Sequence, residues 1–317
     1  MEKIGITTDE AADLPKEIIE KYQIAVVPVK LDWPEIENLP GENTFQKMRE
    51  LERRGIKSFG KTSQPSPKDF IDKYKYQLER FDKVICITLT SKLSGTYNSA
   101  IQGKNFLTPQ DQEKVFVIDS LNVSGGQALL VLKAIDLIKI DKKIEEIVKE
   151  LEKFLSQIRL FVMIENPKWL EAGGRISSLI ASFLRNMAKR GIRALLTFKN
   201  GRLVPGGIKI HAKDTVMVLF NQFEKEAQKL RQENKKISPS TKLRADAEDI
   251  RPSSVEGQSR SIRMAITHGD DLESAQRLKE MIEKEFKNIE VAFINIVNDI
   301  VGAITGPDTL VLTWCEI

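Results

Sequence analysis

Val84-Ile85-Cys86-Ile87-Thr88-Leu89 runs directly into Thr90-Ser91-Lys92-Leu93-Ser94-Gly95-Thr96-Tyr97, and the reading of the chain turns on this junction. The first six residues are nearly all apolar and rich in β-branched side chains. That pattern predicts a strand covered on both faces, as in a parallel sheet packed between helices. The hydroxyl- and glycine-rich segment behind it predicts a loop at the carboxyl end of the strand, where open α/β sheets bind their ligands.

The same grammar recurs on either side. Val115–Ile118 is a second such strand, followed by Asp119-Ser120-Leu121-Asn122-Val123-Ser124-Gly125-Gly126. Lys61-Thr62-Ser63-Gln64-Pro65-Ser66-Pro67 precedes a helix in which Phe70, Tyr74 and Leu78 recur every four residues. Strands are also expected at Ile4–Thr7 and Ala25–Leu31, with a helix opened by Asp13-Leu14-Pro15-Lys16 between them. Residues 33–45, with Pro34, Pro40 and Gly41, read as a loop, and two amphipathic helices are expected at about 126–139 and 142–156.

After an apolar strand at Ile158–Ile164 the pattern changes. A helix over Ile176–Lys189, a hairpin through Asn200-Gly201, a long helix near 213–234 and strands at Ile262–Thr267, 289–297 and 310–314 follow. The fold class is therefore α/β: two α/β domains, 1–158 and 159–317, the first with a mostly parallel sheet flanked by helices and a ligand in the cleft between them. Residues 235–261, with six Ser and two Pro, read as a flexible surface insertion.

Composition narrows the chemistry. Of 317 residues, 41% are apolar and 30% charged, which excludes a wholly disordered or collagen-like chain. No apolar run reaches the ~18 residues of a membrane span. Met1-Glu2-Lys3-Ile4 lacks a signal-peptide pattern, so a cytoplasmic location is expected. Cys86 and Cys315 lie in apolar β-like runs and read as reduced core thiols. With only two histidines and no metal-ligand spacing, neither a metal nor a cofactor is expected. A net charge of +4, from 49 Lys and Arg against 45 Asp and Glu, is too small for a nucleic-acid footprint.

The three hydroxyl-rich loops would gather at one sheet edge and offer backbone N–H groups and Ser/Thr hydroxyls to an anion without a formal positive charge. Helix capping by the same residues is the plain alternative. Phosphate-cofactor motifs and a G-x-S-x-G elbow are absent. An enzyme reading remains as the alternative, a hydrolase or phosphotransferase using Ser94 or His268; a third is a docking protein working through 235–261.

These segments resemble the DegV family of fatty-acid-binding proteins. The resemblance runs through Ile6-Thr7-Thr8-Asp9-Glu10-Ala11-Ala12-Asp13-Leu14-Pro15, Thr62-Ser63-Gln64-Pro65, Ser94-Gly95-Thr96, Gly173-Gly174-Arg175-Ile176 and Leu196-Thr197-Phe198-Lys199-Asn200-Gly201-Arg202, and it covers nearly the whole chain apart from the insertion. It implies a non-enzymatic carrier of a long-chain fatty acid that presents its cargo to a separate fatty acid kinase for phospholipid synthesis. It implies that Thr62, Ser63, Ser94 and Gly95 hold the carboxylate. Candidate tunnel-lining residues are Phe161, Ile176, Ile180, Phe183, Leu184 and Met187, with Ala128, and Arg175 and Arg202 match a kinase-facing surface. Burial of roughly 15 methylenes at about 0.8 kcal/mol each would supply on the order of 12 kcal/mol before ordering costs, so the tail should set affinity and the head-group loops orientation. The family's His-Thr-Gly-Pro-Gly motif reads Ile304-Thr305-Gly306-Pro307-Asp308 here, which puts an apolar group and an added acid where the carboxylate is expected.

Overall fold

The computed structural model describes residues 2–190, 192–210, 214–237 and 261–317. Apart from its ends, the expected insertion at 235–261 lies outside these residues.

Among the described residues, twelve strands form three sheets: β1 (Ile4–Asp9), β2 (Ala25–Val27), β3 (Lys30–Asp32), β4 (Lys61–Ser63), β5 (Lys83–Thr88), β6 (Val115–Asp119), β7 (Arg159–Met163), β8 (Ile192–Lys199), β9 (Arg202–Ile210), β10 (Ile262–His268), β11 (Ile289–Ile296) and β12 (Leu310–Glu316). The first sheet has the order β2-β1-β5-β6 and is parallel throughout, with Ile6 opposite Ile85 and Cys86 opposite Val117. β1 is buried along its whole length, as a strand covered on both faces must be. The second sheet has the order β11-β10-β12-β7-β8-β9; only the β10–β11 pair is parallel. β3 and β4 form a separate antiparallel pair that sets Leu31 opposite Thr62.

Between the two larger sheets lies the helix Gly125–Lys139, which packs on β1 and β5 of one and on β7, β10 and β12 of the other. The sequence reading made it amphipathic, and the structure corrects this. Its residues are buried without interruption from Gly125 to Leu132 and again at Ala134, Ile135 and Leu137, because sheets cover it on opposite sides. Gln127, fully buried in it, donates to Thr8 Oγ1 at 3.0 Å and to the Ile87 carbonyl at 3.3 Å, stitching the helix to the parallel sheet. The hydrophobic cluster around this helix draws Ile6, Ile85 and Ile87 from one sheet and Ala265, Phe293 and Cys315 from the other.

A second correction concerns 33–45. Pro34–Glu37 forms a short helical turn, and Thr44 and Phe45 open the helix Thr44–Arg53, which Asn43 caps by accepting the Gln46 N–H at 2.9 Å. Phe45, Met48 and Leu51, three residues apart, bury one face of it. That helix reaches the far end of the chain, where Arg49 holds Asp270 at 2.5 Å and Asp308 at 2.7 Å.

Candidate binding site

The three loops expected to gather do so, and each divides its hydroxyls between structure and cavity. In the first, Ser66 caps the helix Pro67–Leu78 through a reciprocal pair with Asp69, whereas Thr62, Ser63 and Gln64 line a cavity. In the second, Thr90 donates to the Gly201 carbonyl at 3.0 Å and ties the β8–β9 hairpin to this edge. Ser94 lines the cavity and shares a 2.8 Å hydrogen bond with Thr96 Oγ1. In the third, Ser120 donates to the Asn122 carbonyl, and Ser124 reaches the cavity with its hydroxyl paired to Thr267 at 2.7 Å.

Gly95 does not line the cavity. It caps the helix Thr96–Asn105, and a Cβ there would fall 1.8 Å from Gln64 Oε1. Gln64, which the sequence reading did not single out, fills that space and donates to Ser99 Oγ at 3.0 Å, locking the first loop onto the second.

The cavity holds about 870 Å³ of atom-free space, the open solvent at its mouth included. Apart from the loop side chains, Arg175 and Thr305, its walls are hydrocarbon: Leu160 and Val162 of β7, Phe198 of β8, Leu203 of β9, Val311 of β12, and Ile300 and Ile304 of the helix Asp299–Thr305. The strand period decides which β7 residues face it. Leu160 and Val162 point in, while Phe161 points to the opposite face and stacks on Trp314 with ring centroids 5.4 Å apart. Phe161 is therefore not on the wall, contrary to expectation.

The other expected wall residues stand behind it or away from it. Leu184 is buried in the cluster containing Leu160, Val162 and Val311, with Ile176 and Ile180 packed against that cluster. Met187 is buried without reaching the cavity, Ala128 belongs to the core of the helix between the sheets, and Phe183 is 50% exposed.

Arg175 alters the electrostatic reading. It was expected on a partner-facing surface; instead it lines the cavity, donating from Nη2 to Thr62 Oγ1 at 3.1 Å and from Nη1 to the Gly173 carbonyl. Burial lowers its pKa from the usual arginine value, and no carboxylate pairs with it among the described residues. A desolvated guanidinium beside three hydroxyl side chains is a stronger anion site than hydroxyls and amides alone. Spacing could not reveal this, because an arginine after two glycines can face either way. Arg202, by contrast, is exposed at the start of β9.

The departures at 304 and 308 separate in space. Ile304 is on the cavity wall, packed toward Gly173, while Asp308 is not on the wall and is occupied by Arg49. His268 is buried off the cavity and accepts the Asp271 N–H at Nδ1, 3.1 Å away; burial lowers its pKa. Ser94 and His268 are thus not a nucleophile–base pair. Among the described residues, no group of three or more His, Cys, Asp or Glu could hold a metal ion, and no helix is long and apolar enough to cross a membrane.

The family model described as "Uncharacterised protein, DegV family" matches residues 3–256. The chain belongs to the DegV family. A DegV domain-containing protein of Clostridium perfringens is 36% identical over 226 residues, covering 71% of this chain and 78% of its own length. A fatty acid-binding protein of Thermotoga maritima is 34% identical over 209 residues, covering 64% of this chain and 70% of its own. A solved Thermotoga maritima structure, described as revealing fatty acid binding function, matches this fold with a TM-score of 0.72 at 26% identity over 100% of both chains. The cavity of this DegV-family chain therefore sits in a fold that, in that relative, is described as binding a fatty acid.

Proposed function

We propose that this protein binds one long-chain fatty acid in the cavity between its two halves, 1–158 and 159–317, and presents it in the cytoplasm to a separate fatty acid kinase. The observation that carries the reading is the cavity's composition: a hydrocarbon slot with one unpaired guanidinium, Arg175, set among Thr62, Ser63 and Ser94. The acyl tail would lie against Leu160, Val162, Phe198, Leu203 and Val311. The carboxylate would take charge-assisted hydrogen bonds from Arg175 and the hydroxyls, each contributing about 1.5–3 kcal/mol.

Tail burial sets affinity, and the head group sets which end stays near the open mouth, where a phosphoryl-transfer partner could reach an oxygen. Carriage without catalysis agrees with the separation of Ser94 from His268 and with the hydrogen bond that engages Ser94 with Thr96. Arg202, exposed on the hairpin edge, is the candidate contact for the kinase.

Native mass spectrometry of protein purified from cells tests the reading. One adduct of fatty-acid mass per chain, turned into acyl phosphate only when a fatty acid kinase and ATP are added, is the expected result. Protein that is empty as purified and takes up no added oleate would defeat it.

A further inference from the structure

The strand that brings Thr62 to the slot also builds a surface beside it. From Phe59 to Ser63 exposure alternates: Phe59, Lys61 and Ser63 are exposed, while Gly60 and Thr62 are turned inward. A Cβ on Gly60 would lie 2.7 Å from Leu31 and from Trp33, and Thr62 faces the slot and Arg175. Across the β3–β4 pair, Lys30 stands opposite Ser63 and Asp32 opposite Lys61, both exposed as well. The period of two thus lays one outer stripe along the ribbon. That stripe ends at the mouth of the slot, because Ser63 and Gln64 are the only exposed residues among those lining it.

Two apolar side chains, Ile56 and Phe59, each 40% exposed, stand at the other end. Neither is on a loose segment. Phe59 packs edge-on against Trp169 with ring centroids 5.3 Å apart, and Ser58 between them accepts the Trp33 Nε1 hydrogen at 3.0 Å. The Ile56 N–H donates to the Leu51 carbonyl at 3.1 Å, closing the end of the helix Thr44–Arg53. Anchors fixed before a partner arrives lose little freedom on binding.

The charge around these anchors is mostly of one sign. Lys30, Lys57 and Lys61 are exposed, and none of them makes an ion pair among the described residues. Nearby acids are already engaged: Glu50 by Arg53 and Arg54, Glu52 by Lys168, and Asp69 by Ser66. On the stripe itself Asp32 is the one acid. An apolar pair within a rim of unpaired lysines is complementary to an acidic protein surface that carries an apolar side chain. A bilayer fits less well, because two side chains that are more than half buried offer too little hydrocarbon to insert.

We propose that Ile56, Lys57, Phe59 and Lys61, with Lys30, form the docking surface for an acidic face of the protein that phosphorylates the bound acid. The proposal rests on carriage to a kinase and adds where that partner sits: against β4, with its active site over Ser63 and Gln64. Acyl phosphate formation by the source organism's fatty acid kinase, measured with ATP over a range of concentrations of the oleate-loaded full chain, tests it. Lys57→Glu combined with Lys61→Glu should raise the concentration giving half-maximal rate by roughly tenfold or more, and Phe59→Ala by roughly fivefold or more. Maximal rate and oleate affinity should stay within about twofold of the parent, and added salt should narrow the gap between parent and charge-reversed variant. Should Phe59→Ala lose its melting transition, the lysine variant on the outer face decides. Oleate-loaded parent that yields no acyl phosphate would remove both the kinase reading and this surface. Phosphorylated parent with unchanged half-saturation in the folded variants would overturn the surface alone, as would a loss confined to oleate affinity. Binding of the parent, but not of the charge-reversed variant, to phosphatidylglycerol vesicles with half-saturation for the kinase unchanged would assign the surface to a membrane instead.

Discussion

Arg175 and Thr62 form the smallest unit on which the functional reading rests. If the guanidinium grips the carboxylate, Arg175→Ala should weaken oleate binding by roughly 10–100-fold, the loss of one charge-assisted contact, and Arg175→Lys should recover only part of it because an ammonium lacks the planar fork. Equilibrium titration with a fluorescent fatty acid reads this directly; unchanged affinity would return Arg175 to a structural role on the Gly173 turn. Gly95 makes a different prediction. Its Cβ would occupy the space of Gln64 Oε1, so Gly95→Ala should displace Gln64 and weaken binding several-fold, and Gly95→Ala with Gln64→Ala should bind better than Gly95→Ala alone. Sequence located the right loops but not the division of labour inside them. Ser66 and Ser94 look alike in a string of letters, and only the packing shows that one caps a helix while the other faces a cavity.

At the scale of the element, the helix Gly125–Lys139 is the joint between the sheets. A Cβ on Gly125 would sit 2.7 Å from Thr313 Oγ1 and 3.1 Å from Thr313 Cβ on β12. Gly125→Ala should therefore destabilise the protein by about 1–2 kcal/mol, even though alanine is the better helix former, and adding Thr313→Ala should restore part of the loss. Chemical denaturation of Gly125→Ala, Thr313→Ala and the double variant checks this; additive effects would mean that the two residues do not compete for the same space. The parallel strands were legible because both of their faces are buried and their sequences are apolar without alternation. That same uniformity hid the facing of β7, where Leu160 and Val162 could not be told from Phe161 by period alone. The helix between the sheets has the look of an amphipathic one because Gln127, Lys133, Asp136 and Lys139 interrupt its apolar residues. The Thr44–Arg53 helix was hidden behind a stretch whose prolines and glycine signal a loop.

Over the whole molecule, contacts distant in sequence hold the cavity walls in register. Asn298 donates to Asp13 and to the Glu10 carbonyl, joining the turn after β1 to the helix that carries Ile300 and Ile304. Burial pushes Asp9 up to about 6 and Asp13 up to about 7. Both folded-state values lie above the unfolded carboxylate value near 3.9, so folding takes up protons. The sign follows: the contribution of these groups to stability is greatest in acid and is lost as pH rises through about 6 to 7. Asp13→Asn, which fixes the neutral form, should raise the melting temperature relative to the parent, more at pH 8 than at pH 5. Thermal melts across that range check it, and a variant destabilised equally at both values would show that the carboxylate is needed in its charged form. Arg49 spans the same two parts of the chain through Asp270 and Asp308, but its side chain is 37% exposed, so Arg49→Ala should cost only about 1 kcal/mol.

The most direct test of the account is a calorimetric titration of delipidated protein with oleate and, separately, with oleyl alcohol, which shares the tail but lacks the charge. The account predicts saturable binding of oleate at one site, at least tenfold tighter than the alcohol, with Arg175→Ala abolishing the difference. Failure of both ligands to bind, or equal affinity for acid and alcohol in the parent protein, would contradict it.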